Sequence, residues 1–95
     1  MSLEATTQKI SGRAAATADL GSSVKFVFGE GVIYLDGKGG ITNDNTDAAC
    51  TVSMDIADFN AMLEGSLNPM SAFMGGKMRI DGDMSVAMKL QSIFG

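Results

Sequence analysis

The chain has 95 residues, 45% of them hydrophobic and 19% charged, and carries a formal net charge of −4. That length holds one hydrophobic core, so a single domain over residues 1–95 is expected. Its seven Lys and Arg residues are scattered instead of forming a stripe, which excludes nucleic acid as a natural partner and limits any membrane contact to a transient one.

In chain order, the alanine-rich run from Leu3 to about Ala18 predicts a short helix, with Leu3, Ile10 and Ala14 on one face and Gly12 interrupting it. Gly21 to Ser23 make a turn. The stretch VKFVFG then alternates, placing Val24, Phe26 and Phe28 on one face of a strand, and Gly29-Glu30-Gly31 connects it as a hairpin to VIYLD. From Asp36 to Asp47 nearly every residue is a turn former, leaving Ile41-Thr42 as a short edge strand. AACTVSM predicts a further strand with Cys50, Val52 and Met54 facing inward.

At Asp55 the apolar period lengthens from 2 to 3.6 residues. Asp55 reads as an N-cap, with Asp58 near the positive end of the helix dipole. Ile56, Phe59, Met62 and Leu63 form the apolar face, and Gly65 stops the helix. Asn68 caps a second helix with Pro69 in its first position; this helix bears Met70, Phe73 and Met74 and ends at Gly75-Gly76. KMRID returns to alternation with Met78 and Ile80 inward. After Gly82-Asp83 a last helix carries Met84, Val86, Ala87, Met88, Leu90, Ile93 and Phe94, with a narrow polar stripe of Ser85, Lys89 and Ser92 beside Gln91. A surface helix packs through an apolar arc of roughly 100°, and this one is apolar around most of its circumference, so it needs cover on a second side.

Reactive chemistry is scarce. With no histidine, the usual general base and the commonest metal ligand are missing, and Ser-His or Cys-His activation of a nucleophile is excluded. Cys50 is the one cysteine, so no internal disulfide or cysteine-rich zinc site can form; at an inward strand position it reads as a small buried hydrophobe. Asp44 and Asp47 lie in a loop that departs from the EF-hand order. GEGVIY lacks the third glycine and the following helix of a dinucleotide site, and the two Gly-Lys pairs lack the spacing of a phosphate loop. No catalytic residue, metal site or cofactor is expected, and the chain does not read as an enzyme. No apolar run approaches the roughly 20 residues that span a bilayer, and no secretory signal opens the chain, which points to a soluble, cytoplasmic protein.

Methionine remains. Seven of the eight methionines fall between Met54 and Met88, on three predicted helices and two strands that must converge on one core. Two readings fit: methionine filling a core poor in aromatics, or an adaptable wall that conforms to apolar ligands of differing shape. A rigid empty pocket of about 300 Å³ would cost on the order of 7 kcal/mol, close to the roughly 5–15 kcal/mol that stabilises a whole domain. A core of flexible side chains that collapses when empty avoids that cost.

The stretch AACTVSMDIADFNAMLEGSLNPMSAFMGGKMRIDGDMSVAMKLQ, Ala48 to Gln91, resembles the C-terminal half of the sterol carrier protein 2 (SCP-2) lipid-transfer domain. The resemblance is carried by Asn68-Pro69, Ser71-Ala72-Phe73-Met74, Gly76-Lys77, Ile80, Gly82-Asp83 and Ala87-Met88-Lys89-Leu90. It implies an α+β fold, a five-stranded, mainly antiparallel sheet covered by helices and enclosing an apolar cavity for a fatty acyl chain, acyl-CoA, phospholipid or sterol. It also implies a wall containing Phe73, Met74, Ile80, Met84 and Met88, closed by the last helix. The helix and strand faces add Met62, Leu63, Met70 and Met78 as ligand-binding residues. The chain ends in Ile93-Phe94-Gly95, so no peroxisomal address is carried over, and a bacterial cytoplasm is the expected setting. The expected function is non-catalytic binding and transfer of lipids. The alternative is a scaffold that presents a lipophilic substrate, such as a quinone precursor, to a lipid-modifying enzyme, with a dimer or enzyme contact through the C-terminal helix.

Overall fold

A computed structural model describes residues 2–94. Two short helices open the chain, α1 (Leu3–Ser11) and α2 (Ala14–Ala18). Ser2 caps α1 by accepting the Ala5 N–H at 3.1 Å. The predicted run to Ala18 is therefore helical but broken at Gly12, the C-cap of α1. Strands β1 (Val24–Phe28) and β2 (Gly31–Leu35) follow, then the two-residue β3 (Ile41–Thr42) and β4 (Cys50–Met54). Helices α3 (Ile56–Glu64) and α4 (Pro69–Met74) precede β5 (Met78–Gly82), and α5 (Met84–Lys89) and α6 (Gln91–Phe94) end the described chain.

The five strands form one sheet in the order β3-β2-β1-β4-β5. The β1–β4 pair is parallel and the other three pairs are antiparallel. Period-two sequence decides which face is covered. Val24, Phe26 and Phe28 of β1 and Cys50, Val52 and Met54 of β4 are buried, while the residues between them are half-buried. Registration then aligns Phe26, Val52 and Ile80 in one row across three strands. The helices pack on this face. Asp55 occupies the N-cap position of α3 but its carboxylate makes no capping hydrogen bond, unlike Asn68, whose Oδ1 accepts from the Met70 and Ser71 N–H groups at 2.8 and 3.3 Å.

Two polar side chains join the helical layer internally. Buried Asn60 donates to the Thr6 hydroxyl at 2.8 Å and to the Ile56 carbonyl at 2.9 Å, fixing α3 against α1. Arg13 donates to the carbonyls of Ile93 at 2.6 Å and Leu63 at 2.5 Å, tying α6 to the last turn of α3. The end of β5 needs a particular glycine: Gly82 has φ +105°, and a Cβ there would collide with the Ala49 carbonyl of the neighbouring segment.

The last helix differs from expectation. It is interrupted at Leu90, where the bonds Leu90 N–H to Ala87 C=O and Ile93 N–H to Leu90 C=O replace the regular ladder. Splitting it lets α6 turn inward, so Ile93 and Phe94 are buried, while Met84 and Met88 of α5 stay exposed. Among the described residues nothing covers its second apolar side.

Candidate functional site

Where α4, α5 and α6 meet the sheet they leave an apolar pocket of about 130 Å³. Its floor is the row Phe26, Val52 and Ile80, continued by Met78 from the same face of β5. Met62 of α3 forms a buried side wall, and Phe94 of α6 the end. Phe94 is held by rings at right angles to it: its centroid lies 5.5 Å from that of Phe59 and 6.5 Å from that of Phe26. Met70 and Phe73 of α4 and Met84 and Met88 of α5 make a rim that faces solvent, Met88 being 72% exposed.

Seven of the nine sequence-predicted residues, Met62, Met70, Phe73, Met78, Ile80, Met84 and Met88, thus line one pocket. Leu63 and Met74 do not. Leu63 is buried, but it follows Met62 on α3, about 100° further round the helix, and does not line the pocket. Met74 ends α4, a helix with only one buried side chain, Ala72, and is 79% exposed away from the pocket. The sequence reading missed Phe26, Val52, Pro69, Ala87, Leu90, Gln91 and Phe94 as lining residues. Phe26 and Val52 carried an inward-facing signal, but nothing local announces the parallel β1–β4 pairing that sets them beside Ile80.

The pocket opens to solvent at its rim instead of being sealed, and no charged side chain lines it; Gln91 is its one polar side chain among the described residues. Its volume lies below the roughly 300 Å³ at the small end of ligand sites. A void of this size costs at most about 3 kcal/mol, less than half the cost of a ligand-sized one. Five methionines around it supply side chains that can rearrange without breaking backbone bonds. Nearby titratable groups are structural. Asp83 caps α5, and hydrogen bonds from the Ser85 side chain and then its backbone N–H hold the carboxyl below the ordinary range. Burial, followed by the nearby charges of Asp83 and Asp81, pushes the Cys50 thiol up and keeps it protonated and unreactive.

Comparison with known proteins gives a consistent picture. Sterol carrier protein 2 of Homo sapiens is 46% identical over 59 residues, 61% of this chain and 11% of that protein, so the chain spans about a tenth of that relative's length. The crystal structure of sterol carrier protein 2 like 2 from Aedes aegypti superposes with a TM-score of 0.82 at 22% identity, covering 95% of this chain and 94% of the other. Sterol carrier protein 2 from Aedes aegypti, solved in complex with the C16 fatty acid palmitate, gives 0.77 at 19% identity over 100% and 97% of the two chains. At those identities the likeness is one of fold, an α+β sheet with helices on one face. The model of the SCP-2 sterol transfer family matches residues 4–95, essentially the full length described, and the chain belongs to that family.

Proposed function

We propose that the chain binds a lipid non-covalently through its methionine-rimmed pocket and passes it on unchanged. The observation that carries this reading is the pocket itself: an uncharged apolar recess whose floor is sheet and whose rim is exposed methionine and phenylalanine. Binding then requires side chains of α4 and α5 to part, not a preformed tunnel. Burying about fourteen methylenes at ~0.8 kcal/mol each contributes about 11 kcal/mol before the costs of association and of ordering the ligand chain, enough for micromolar affinity without an ion pair. Family membership and the palmitate complex of the Aedes aegypti relative support the same reading.

A second reading has one observation in its favour. Met84 and Met88 leave an apolar strip on α5 that no described residue covers, as a surface that docks on an enzyme while presenting a lipophilic substrate would require. In both readings the covalent chemistry belongs to another protein.

Native mass spectrometry of protein purified without detergent, followed by solvent extraction, tests the carrier reading. An acyl, sterol or isoprenoid species near one per chain is expected. A ligand-free mass, together with no rise in melting temperature when fatty acid is added, would overturn it.

A further inference from the structure

The two edges of the sheet are unlike. At one end lies β3, two residues long and too short to template another strand; at the other lies the five-residue β5. The Asp83 N–H bonds the Ala49 carbonyl across the β4–β5 pair at 2.9 Å, and this sets the alternation of the ladder. Arg79 and Asp81 turn their backbone N–H and C=O groups toward Ser53 and Thr51 of β4, while Ile80 and Gly82 turn theirs to the open edge. Cys50, opposite Gly82, agrees with this, since its N–H bonds the Ser23 carbonyl on the β1 side.

This edge is left incomplete on both faces. On the helix side the floor row stops short: Phe26 and Val52 are fully buried, whereas Ile80 is only partly so, and Met84 and Met88 of the same pocket stand exposed. On the outer side Arg79 and Asp81 are exposed, and their side chains have no ion-pair or hydrogen-bond partner among the described residues. Charges at an edge ordinarily keep other strands away. Here, however, the sequence KMRIDGD is basic before Ile80 and acidic after it, so an antiparallel copy of the same strand meets it with opposite charges.

Of the central registers, one achieves this. A two-fold axis through Arg79 sets that residue against itself, and an axis through Asp81 does the same with two carboxylates; like charges directly opposite are destabilising. An axis through Ile80 sets Ile80 against Ile80 as a pair that exchanges both backbone bonds. It also sets Arg79 against Asp81 twice, in the closer, non-hydrogen-bonded positions.

We propose that β5 is a self-association edge: two copies of the chain pair antiparallel through β5 about a two-fold axis at Ile80, and the pocket floor of one copy continues into that of the other. Exposed ion pairs contribute little affinity, so the charges select the register and the partner, while Ile80 and the exposed methionines beside it supply the apolar area. Association at this edge requires no lipid, so it stands or falls apart from the carrier reading.

Sedimentation velocity from about 5 to about 500 μM protein covers the affinities of small interfaces. A concentration-dependent dimer is expected. R79D and D81R each set like charges opposite one another twice, and each is expected to weaken the dimer at least tenfold. Both positions are exposed, so both variants are expected to fold. Their equimolar mixture is expected to regain the dimer as a heterodimer, identified by native mass, because every charged pair flanking the axis is then Asp against Arg. A monomer at every concentration would overturn the proposal and leave the edge to a different protein. So would a dimer that neither variant weakens, whose contact would then lie elsewhere, as on α5. Two monomeric variants that fail to combine, with circular dichroism matching that of the unaltered chain, would overturn it as well.

Discussion

Two methionines separate a pocket residue from a merely exposed one. Met88 and Met74 are similarly open to solvent, but only Met88 lines the pocket. Because neither is buried, aspartate at either position costs little folding stability. M88D is expected to weaken acyl-chain binding at least tenfold by placing a charge at the rim, while M74D leaves it within about twofold; calorimetric titration of both checks the assignment, and equal losses would restore Met74 to the wall. Asn60 makes the opposite case, a residue whose work is internal. N60A strands the buried Thr6 hydroxyl and removes a second donor from the Ile56 carbonyl, and a loss of about 1–3 kcal/mol is expected in urea unfolding. Adding T6V should recover part of it, since removing both partners leaves fewer polar groups unsatisfied. Asp83 supplies a pH dependence. Its folded-state pKa is lowered, so its contribution to α5 is present above the ordinary carboxylate range and is lost as pH falls through the folded value.

At the level of elements, the side chain that positions the pocket's end wall lies on none of its walls. Arg13 fixes the last turn of α3 and α6 together, and through them the spacing of Met62 and Phe94. R13L is expected to destabilise the fold by about 1.5–3 kcal/mol and to raise amide exchange in α6 more than in β1; uniform exchange across both would show that Arg13 supports the fold generally and not this junction. Most elements were legible in the sequence because each rests on local chemistry: the alternation of VKFVF and CTVSM, and the Asn68-Pro69 start and Gly65 stop around α4 and α3. The break at Leu90 was not. Leu90 is a good helix former, and what interrupts the helix is packing of Ile93 and Phe94 into the core, with Arg13 holding the Ile93 carbonyl. Met74, placed in the wall by the family resemblance, stays in water, and Leu63 was misplaced for a reason of packing. An apolar arc identifies which residues leave water but not which of two neighbours, pocket or helix layer, receives them.

Over the whole molecule, a small closed-down pocket makes stability and occupancy one quantity. A lipid present at 100 times its Kd adds about 2.7 kcal/mol, and for a domain of this size each kcal/mol raises Tm by roughly 4–8 °C. A rise of at least about 10 °C is therefore expected with saturating ligand, read by calorimetry; a bound ligand that leaves Tm unchanged would mean that it sits on the unfolded chain equally well. The rim has a consequence in another currency, that of oxidation. Met70, Met84 and Met88 stand in the open around an apolar recess, and peroxide turns such thioethers into polar sulfoxides while sparing buried ones such as Met62. Mild oxidant should therefore empty a loaded pocket without unfolding the chain, and methionine sulfoxide reductase should let it fill again.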